Sequence, residues 1–259
     1  MNKKGEKMVI HPVIENLKKL RLKGVVEALE NQMRNPEIKS LLFEERLALL
    51  IANEISLREN NRLQSRLRKA RFKQQACIQD VTFEVSRKLD KILFLSFENC
   101  QWIKAHRNIL ITGATGTGKS YLAEALAHNA CLKGFSSYRV QLPRFLHELI
   151  AAKADGSYLK KQVELAKVDV LILDDFAAFP LTDENRRDLL EIVDDRYNKK
   201  STIITSQLLV KDWHDAIGER TLADAILDRL IHNSHRIALE GDSLRKKLAN
   251  ECKKEERKK

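Results

Sequence analysis

The chain has 259 residues, of which 43% are hydrophobic and 32% are charged. That length suits one large domain, or a core domain together with a smaller one. No apolar run approaches the roughly 20 residues needed to cross a bilayer, which excludes a membrane-embedded protein. The basic N-terminus is not followed by an apolar signal segment, so we expect a soluble protein that is not exported. The net charge of +11 favours a polyanionic partner such as nucleic acid, although a basic surface can also serve solubility alone.

A small all-α domain is predicted at the start of the chain, over residues 1–76. Apolar residues recur there at three-to-five-residue spacing, and Pro36 separates the first helix from a second apolar face over residues 41–51. A third predicted helix carries cations at steps of four, four, three and four, which puts them on one stripe. These cations are Arg58, Arg62, Arg66, Lys69 and Lys73. The stripe is either a surface that follows nucleic-acid phosphates or a solvated face neutralised by acids such as Glu44 and Glu45.

The character of the sequence changes after this domain. Residues 77–107 contain short mixed segments, including a helical stretch at 89–97, and are interpreted as a connector. From residue 108 strand and helix patterns alternate, which predicts a parallel sheet with crossover helices over 108–246. Strands are expected at 109–112, 137–142, 168–173, 202–205 and 236–239, and helices at 119–132, 143–152, 183–198 and 221–231. Residues 247–259 form a charged tail.

Four cysteines are spread over these segments without zinc-ligand spacing, which indicates reduced thiols in an intracellular protein. They are Cys77, Cys100, Cys131 and Cys252.

A phosphate-binding loop is predicted at residues 113–120, which fit the pattern G-x-x-x-x-G-K-[ST]. An apolar β-branched strand precedes it and an alanine-rich helix follows, whereas a chance glycine-rich turn would lack this context. The glycines let backbone amides face phosphate oxygens, and Lys119 supplies a cation for the β- and γ-phosphates of ATP. The predicted nucleotide-binding residues are Gly113, Ala114, Thr115, Gly116, Thr117, Gly118, Lys119, Ser120 and Tyr121.

Two adjacent acids end the third predicted strand and supply the carboxylates that such a loop needs. Ser120 and Asp174 are the expected Mg²⁺ ligands, and Asp175 is placed to orient or deprotonate the attacking water. The alternative is a strand that ends in a solvated acidic turn. At the end of the next strand, any of Thr205, Ser206 or Gln207 could hold the water near the γ-phosphate.

Taken with two later motifs, this series resembles the AAA+ ATPases, and most closely the clade of the helicase loader DnaC and the transposase helper IstB. The later motifs are D-R-L at 228–230 on a predicted helix and G-D-S-L-R at 241–245. Further stretches that match the IstB-like pattern are 173–176, 201–207 and 217–230, and the resemblance runs from about residue 10 to 247. It implies a P-loop AAA+ parallel sheet with flanking helices and a minimal or absent lid. A small all-α N-terminal domain precedes this sheet in the chain.

The resemblance also assigns roles that spacing alone would leave as surface charges. Arg229 matches the arginine finger that reaches the γ-phosphate of a neighbouring subunit, which implies a homo-oligomer with ATP sites at its interfaces. Thr205 matches sensor 1, with Ser206 as the near alternative, and Arg245 matches sensor 2. The segment at 142–166 is implied to help line a DNA-contacting channel, where Lys153, Lys160 and Lys161 are the available charges.

The expected function is therefore that of a bacterial, cytoplasmic ATPase that assembles on double-stranded DNA with ATP and Mg²⁺. It would recruit or activate a transposase and hydrolyse ATP to disassemble. The alternatives are a DnaC-like replicative helicase loader and an adaptor that binds ATP but barely hydrolyses it. Asp175 is the reason why the adaptor remains an alternative, because most AAA+ proteins have the longer Glu at this position. Only fourteen residues follow Arg245, too few for a full helical lid.

Overall fold

The computed structural model describes residues 12–35, 37–83 and 85–244. The chain divides into two compact units, Met1–Ser65 and Arg66–Lys259. Residues 1–11 of the predicted N-terminal domain, Arg245, Cys252 and the predicted tail at 247–259 lie outside the described residues. No helix within the described part of the chain is long and apolar enough to cross a membrane.

The first unit is helical, as its apolar periodicity predicts. It contains α1 (residues 12–19), α2 (Lys23–Arg34), a 3₁₀ turn (Glu37–Ser40) and most of α3 (Phe43–Ala70). Helices α2 and α3 touch at Gly24, where an added Cβ would lie 2.7 Å from the Cα of Glu54. The buried Glu54 carboxylate accepts hydrogen bonds from the amides of Gly24 (2.7 Å) and Val25 (3.2 Å) at the start of α2. A carboxylate at a helix N-terminus satisfies amides that have no partner within the helix.

The apolar and basic segments predicted as two separate helices form the single 28-residue helix α3. No glycine or proline interrupts the sequence from Phe43 to Ala70, so nothing breaks the helix between the two segments. Helix α3 ends at Ala70 because Arg71 adopts a left-handed conformation, with φ of 55°. The prediction that Lys73 lies on the helical stripe is therefore wrong.

The residues predicted as a connector are part of the core of the second unit. Two short helices, α4 (Lys91–Ser96) and α5 (Gln101–Lys104), lie in this stretch with three 3₁₀ turns. The buried side chains of Phe94, Phe97 and Trp102 pack in one cluster with the sheet and α6. Residues 77–107 therefore form one layer of the folded unit, since their aromatic side chains supply apolar surface that covers one face of the sheet.

The second unit is built on a five-stranded parallel sheet with the order β2-β3-β4-β1-β5. Its core lies in two apolar clusters on either side of the sheet. The strands are β1 (Asn108–Gly113), β2 (Ser137–Gln141), β3 (Val170–Asp174), β4 (Ser201–Ser206) and β5 (Ser234–Leu239). The helices are α6 (Lys119–Leu132), α7 (Leu142–Ala154), α8 (Tyr158–Lys167), α9 (Asp183–Arg196), α10 (Trp213–Ile217) and α11 (Arg220–Ile231). The predicted parallel α/β architecture is confirmed.

The register of the sheet brings the candidate site residues to one edge. Gln141 is opposite Asp174, Leu173 is opposite Ile204, and Ile111 is opposite Thr205. The carboxyl ends of β1, β3 and β4 are therefore level with one another. In open α/β sheets this is the edge where ligands bind.

Candidate functional site

The phosphate-binding loop connects β1 to α6 at the carboxyl edge of the sheet. Gly113 ends β1 with φ of 148°, and an added Cβ there would meet the carbonyl oxygen of Leu239 on β5. Any larger residue would push the loop away from β5, which explains the glycine at this position. The loop leads into the amino end of α6, where unpaired amides and the helix dipole favour an anion.

The Lys119 side chain lies over this loop. It is 7% exposed, and its Nζ donates to the carbonyl oxygens of Gly113 (2.7 Å) and Ala114 (2.9 Å). Thr115 Oγ1 bonds Gln207 Oε1 at 2.8 Å, which ties the loop to the end of β4. The predicted lysine is therefore folded onto the cradle that an anion would occupy.

The Asp174 carboxylate contacts polar side chains from three neighbouring elements. Its Oδ1 accepts hydrogen bonds from Ser120 Oγ on α6 (2.7 Å) and from Thr205 Oγ1 on β4, and its Oδ2 pairs with Arg139 on β2. Asp174 is 2% exposed, so these donors replace the water that an ionised carboxylate needs. The two predicted metal ligands, Ser120 and Asp174, are in direct contact.

These oxygens fit a magnesium ion whose remaining ligands come from nucleotide phosphates and water. Among the described residues, no group of three or more His, Cys, Asp and Glu side chains could hold a metal. A hydroxyl and one carboxylate beside a phosphate cradle are the protein ligands that Mg²⁺ takes at such sites. Ser120 and Asp174 would hold the ion together with the nucleotide.

Asp175 is held in a conformation unusual for a residue with a side chain. Its φ is 61°, in the left-handed region, which a short polar side chain tolerates better than most. Gln141 Nε2 donates to Asp175 Oδ2 at 2.9 Å, and the Asp175 amide donates to Thr205 Oγ1 at 3.2 Å. The sharp turn after β3 points the two adjacent carboxylates in different directions, each fixed by its own donors.

The resemblance predicts Thr205 as sensor 1 with Ser206 as the near alternative, and the structure separates the contacts of the two hydroxyls. The Thr205 hydroxyl contacts Asp174 and the Asp175 amide. The Ser206 hydroxyl donates to the carbonyl oxygen of Phe176 (2.8 Å) and accepts from the amide of Leu208 (3.1 Å). Ser206 therefore connects the backbone segments that follow β3 and β4, whereas Thr205 contacts the two adjacent acids Asp174 and Asp175.

Tyr121 follows the loop but faces the protein interior. It packs against the core cluster that includes Phe94, and its hydroxyl bonds the backbone of Cys77. Burial raises the pKa of the Tyr121 hydroxyl. Tyr121 thus anchors the first turn of α6 to the preceding segment.

Two further contacts support the loop, and one of them comes from a residue that carried no sequence signal. Arg87, which is 4% exposed, donates from Nη2 to the carbonyl oxygen of Thr117 at 3.0 Å and from Nη1 to that of Thr82 at 2.7 Å. The Leu244 amide donates to the carbonyl oxygen of Gly116 at 2.9 Å. The motif residues at 241–244 therefore lie against the loop. Arg87 belongs to no motif, so only the folded chain reveals it.

Arg229 lies at the opposite edge of the sheet. It is near the end of α11, and Asn108 at the start of β1 donates to the carbonyl oxygens of Arg229 (3.3 Å) and Leu230 (3.1 Å). The loop follows Gly113 at the other end of β1, roughly 17 Å away at the usual rise of a strand. The Arg229 side chain is 29% exposed and pairs with Asp194 on α9 at 2.5 Å. Arg229 therefore cannot reach the loop of the same chain.

The cations of the segment at 142–166 differ in availability. Lys153 pairs with Glu184 (2.8 Å) and Asp188 (2.7 Å), so its charge is neutralised within the unit. Lys161 donates to the carbonyl oxygen of Glu148 at 3.3 Å and is half-buried, while Lys160 is exposed. Lys160 is the residue of the three best placed to meet an external anion.

Sequence comparison identifies relatives over nearly the whole chain. The sequence model of one protein family, described as "IstB-like ATP binding protein", matches residues 15–252. A putative insertion sequence ATP-binding protein of Sinorhizobium fredii is 45% identical over 239 residues, covering 92% of this chain and 98% of the relative. The insertion sequence IS1162 putative ATP-binding protein of Pseudomonas fluorescens is 42% identical over 202 residues, covering 78% of this chain and 87% of the relative.

Comparison with solved structures supports the fold. The crystal structure of the DnaC helicase loader superposes with a TM-score of 0.55 and 19% sequence identity, covering 66% of this chain and 99% of that one. At this identity the likeness concerns the architecture alone. The expected P-loop AAA+ sheet with flanking helices is confirmed.

Proposed function

Because the chain belongs to the family of IstB-like ATP-binding proteins, we propose that it is an ATP-dependent helper of transposition. It assembles on double-stranded DNA with ATP, recruits or activates a transposase there, and hydrolyses ATP to disassemble. The observation that carries this proposal is that the candidate site residues lie at opposite ends of the strands of the sheet. Ser120, Asp174 and Thr205 meet beside the loop, and Arg229 is at the far edge.

In this proposal the loop binds the phosphates of ATP through its amides and Lys119. The Lys119 ammonium leaves the carbonyl oxygens of Gly113 and Ala114 and turns to the β- and γ-phosphates. Bound Mg²⁺, held by Ser120 and Asp174, would offset part of the phosphate charge.

The protein's own groups position the attacking water. The Asp175 carboxylate, oriented by Gln141, accepts the proton of the water as it approaches the γ-phosphate. Thr205 bonds both the Asp174 side chain and the Asp175 backbone, so it fixes the distance between the two acids. Asp175 is one methylene shorter than Glu, which predicts slow turnover and a long-lived ATP state.

Assembly follows from the position of Arg229. A guanidinium beside the γ-phosphate would stabilise the charge of the transition state, and the Arg229 of one subunit can supply it only to a neighbour. Each ATP site is therefore complete only in the oligomer. ATP favours association, and hydrolysis removes the γ-phosphate on which the contact depends.

The choice of a transposase as partner depends on the relatives. The relatives at 45% and 42% identity are named as insertion sequence proteins, whereas the likeness to the helicase loader at 19% identity concerns the fold alone. The net charge of +11 suits a duplex DNA partner that is bound mainly through phosphates. The helicase loader remains the second candidate.

The test is a comparison of two baits. The protein is incubated with duplex DNA and a non-hydrolysable ATP analogue, and then offered the transposase of its insertion sequence or the host replicative helicase. We expect retention of the transposase alone, and none with the Lys119→Ala variant. Retention of the helicase alone would overturn the proposal. ATP turnover measured with and without DNA separates an ATPase from a nucleotide-binding adaptor, which would show no turnover in either condition.

A further inference from the structure

Arg139, on the second strand of the sheet, belongs to no motif of the predicted site, and it bridges two buried carboxylates. It pairs through Nη2 with Asp174 Oδ2 and through Nε with Glu124 Oε1 of α6 at 2.9 Å. The side chains of Glu124, Arg139 and Asp174 are 1%, 13% and 3% exposed, respectively. These three residues form a triad, one guanidinium between two acids.

The far end of the triad is fixed to the backbone. The Glu124 carboxylate accepts hydrogen bonds from the amides of Lys73 (3.2 Å) and Gln74 (3.1 Å), in the turn that follows α3. Glu124 is therefore held in place whether or not Arg139 remains beside Asp174. Because Arg139 already pairs with Glu124, it keeps a carboxylate partner on the side away from the phosphate loop if it leaves Asp174.

The two oxygens of Asp174 face different groups. Oδ1 faces Ser120 and Thr205 on the side of the phosphate cradle, and Oδ2 faces Arg139. A buried carboxylate needs a counter-charge, and the guanidinium provides one. A divalent cation at Ser120 would repel the guanidinium across a few ångströms of poorly screened interior.

We propose that Arg139 is a positioning residue that competes with Mg²⁺ for Asp174. It holds the carboxylate in place before nucleotide arrives and shifts toward Glu124 when Mg²⁺ takes over as the counter-charge. The proposal rests on the proposed binding of Mg²⁺ and ATP at the loop. Arg139 then sets the Mg²⁺ concentration that is needed for the nucleotide to bind.

Two substitutions should move the Mg²⁺ requirement in opposite directions. Arg139→Gln removes the competitor, so it should lower the Mg²⁺ concentration for half-maximal binding of a fluorescent, non-hydrolysable ATP analogue by about fivefold or more. Glu124→Gln removes the alternative partner, so Arg139 stays on Asp174 and the half-maximal concentration should rise by about fivefold or more. A general loss of stability would shift both variants in the same direction.

Controls separate charge from packing. Arg139→Lys keeps the cation and should stay within about threefold of the wild type, a tolerance below the usual range of coupling between sites. Arg144→Gln removes an exposed arginine that pairs with Glu148, and it should leave the Mg²⁺ titration unchanged in the absence of DNA.

A second readout is independent of the titration. By linkage, a residue that opposes Mg²⁺ must contribute more stability before Mg²⁺ and nucleotide bind than after. Arg139→Gln should therefore lower Tm more in the protein alone than in its complex with Mg²⁺ and the analogue. Equal losses of Tm in the two states, or Mg²⁺ titrations that coincide with the wild type, would overturn the proposal. Failure of the wild-type protein to bind the analogue would contradict the proposed function itself, and not only the role of Arg139.

Discussion

At the scale of single residues, the site depends on donors that hold two adjacent carboxylates apart. Asp174 is surrounded by Ser120, Thr205 and Arg139, whereas Asp175 is held by Gln141. The different surroundings suit different roles, a metal ligand and a group that orients water. Substituting either acid by its amide should therefore have separate effects.

Asp175→Asn should keep the affinity for Mg²⁺ and ATP within about threefold of the wild type and slow hydrolysis by about 100-fold or more, as expected for loss of a general base. Asp174→Asn should instead weaken the Mg²⁺ dependence of binding. Titration with a non-hydrolysable analogue and measurement of phosphate release distinguish the two variants. Normal hydrolysis by Asp175→Asn would show that the adjacent carboxylate is not the base.

Lys119→Ala removes the cation at the centre of the loop. The loss of charge-assisted hydrogen bonds to phosphate should weaken ATP binding by about 3 kcal/mol, or more than 100-fold. Lys133→Ala, at an exposed lysine after the other end of α6, is the matched control and should bind normally. An ATP affinity for Lys119→Ala within about threefold of wild type would refute the loop assignment.

At the scale of elements, the basic stripe of α3 is smaller than the sequence suggests. Arg58 pairs with Glu54 at 2.6 Å, Arg66 Nε donates to the carbonyl oxygen of Cys131 at 3.0 Å, and Lys73 lies beyond the helix. Arg62 and Lys69 remain exposed, seven positions apart and so on one face. A role in DNA binding would fall on these two residues.

The double variant Arg62→Gln, Lys69→Gln should weaken binding to duplex DNA similarly on all sequences, because phosphate contacts carry no sequence information. The slope of log affinity against log salt should become shallower by about 1 to 2 units, since each phosphate contact contributes about 0.9. Lys104→Gln with Lys133→Gln removes the same charge from other exposed positions as a control. An unchanged slope would show that this face does not meet DNA, and transposase docking would become the better explanation.

The crossing of α2 and α3 gives a second test at this scale. Gly24→Ala would place a Cβ against the backbone of Glu54, where no flexible side chain can move aside. We expect a loss of roughly 1–3 kcal/mol, typical of overpacking, confined to the first unit. Hydrogen exchange should show lost protection in α2, with unchanged protection in β1 and unchanged ATP affinity. Equal loss of protection in α2 and β1 would contradict an effect confined to the first unit.

Local patterns predicted most of the second unit. The expected helix at 119–132 coincides with α6, and β3 begins two residues later than the expected strand at 168–173 and ends one residue later, on Asp174. These elements have strong periodicity and clear turn residues. The end of α3 was missed because Arg71 leaves the helix to lie over the ring of Tyr138 at 5.0 Å, a tertiary contact. Arg87, Arg139 and Gln141 were missed for the same reason, since each acquires a role only through partners distant in the sequence.

At the scale of the whole molecule, the fold separates the two halves of the proposed ATPase centre. The loop and its acids follow the carboxyl ends of the strands, whereas Arg229 is near the amino end of β1. A single subunit therefore holds a pocket at one edge and a finger at the other. In the proposed oligomer, head-to-tail contacts would repeat this pairing from subunit to subunit, as heterologous interfaces do in rings and filaments.

Mixing two inactive variants tests this account most directly. Lys119→Ala has a disabled pocket and an intact finger, and Arg229→Ala has an intact pocket and no finger. Each variant alone should show weak ATP-dependent binding to DNA and little ATP turnover. The Arg229→Ala protomer should still bind ATP. Mixed over a range of ratios, they should recover ATP hydrolysis, because intact pockets then meet intact fingers at shared interfaces. No recovery at any ratio would contradict action between subunits.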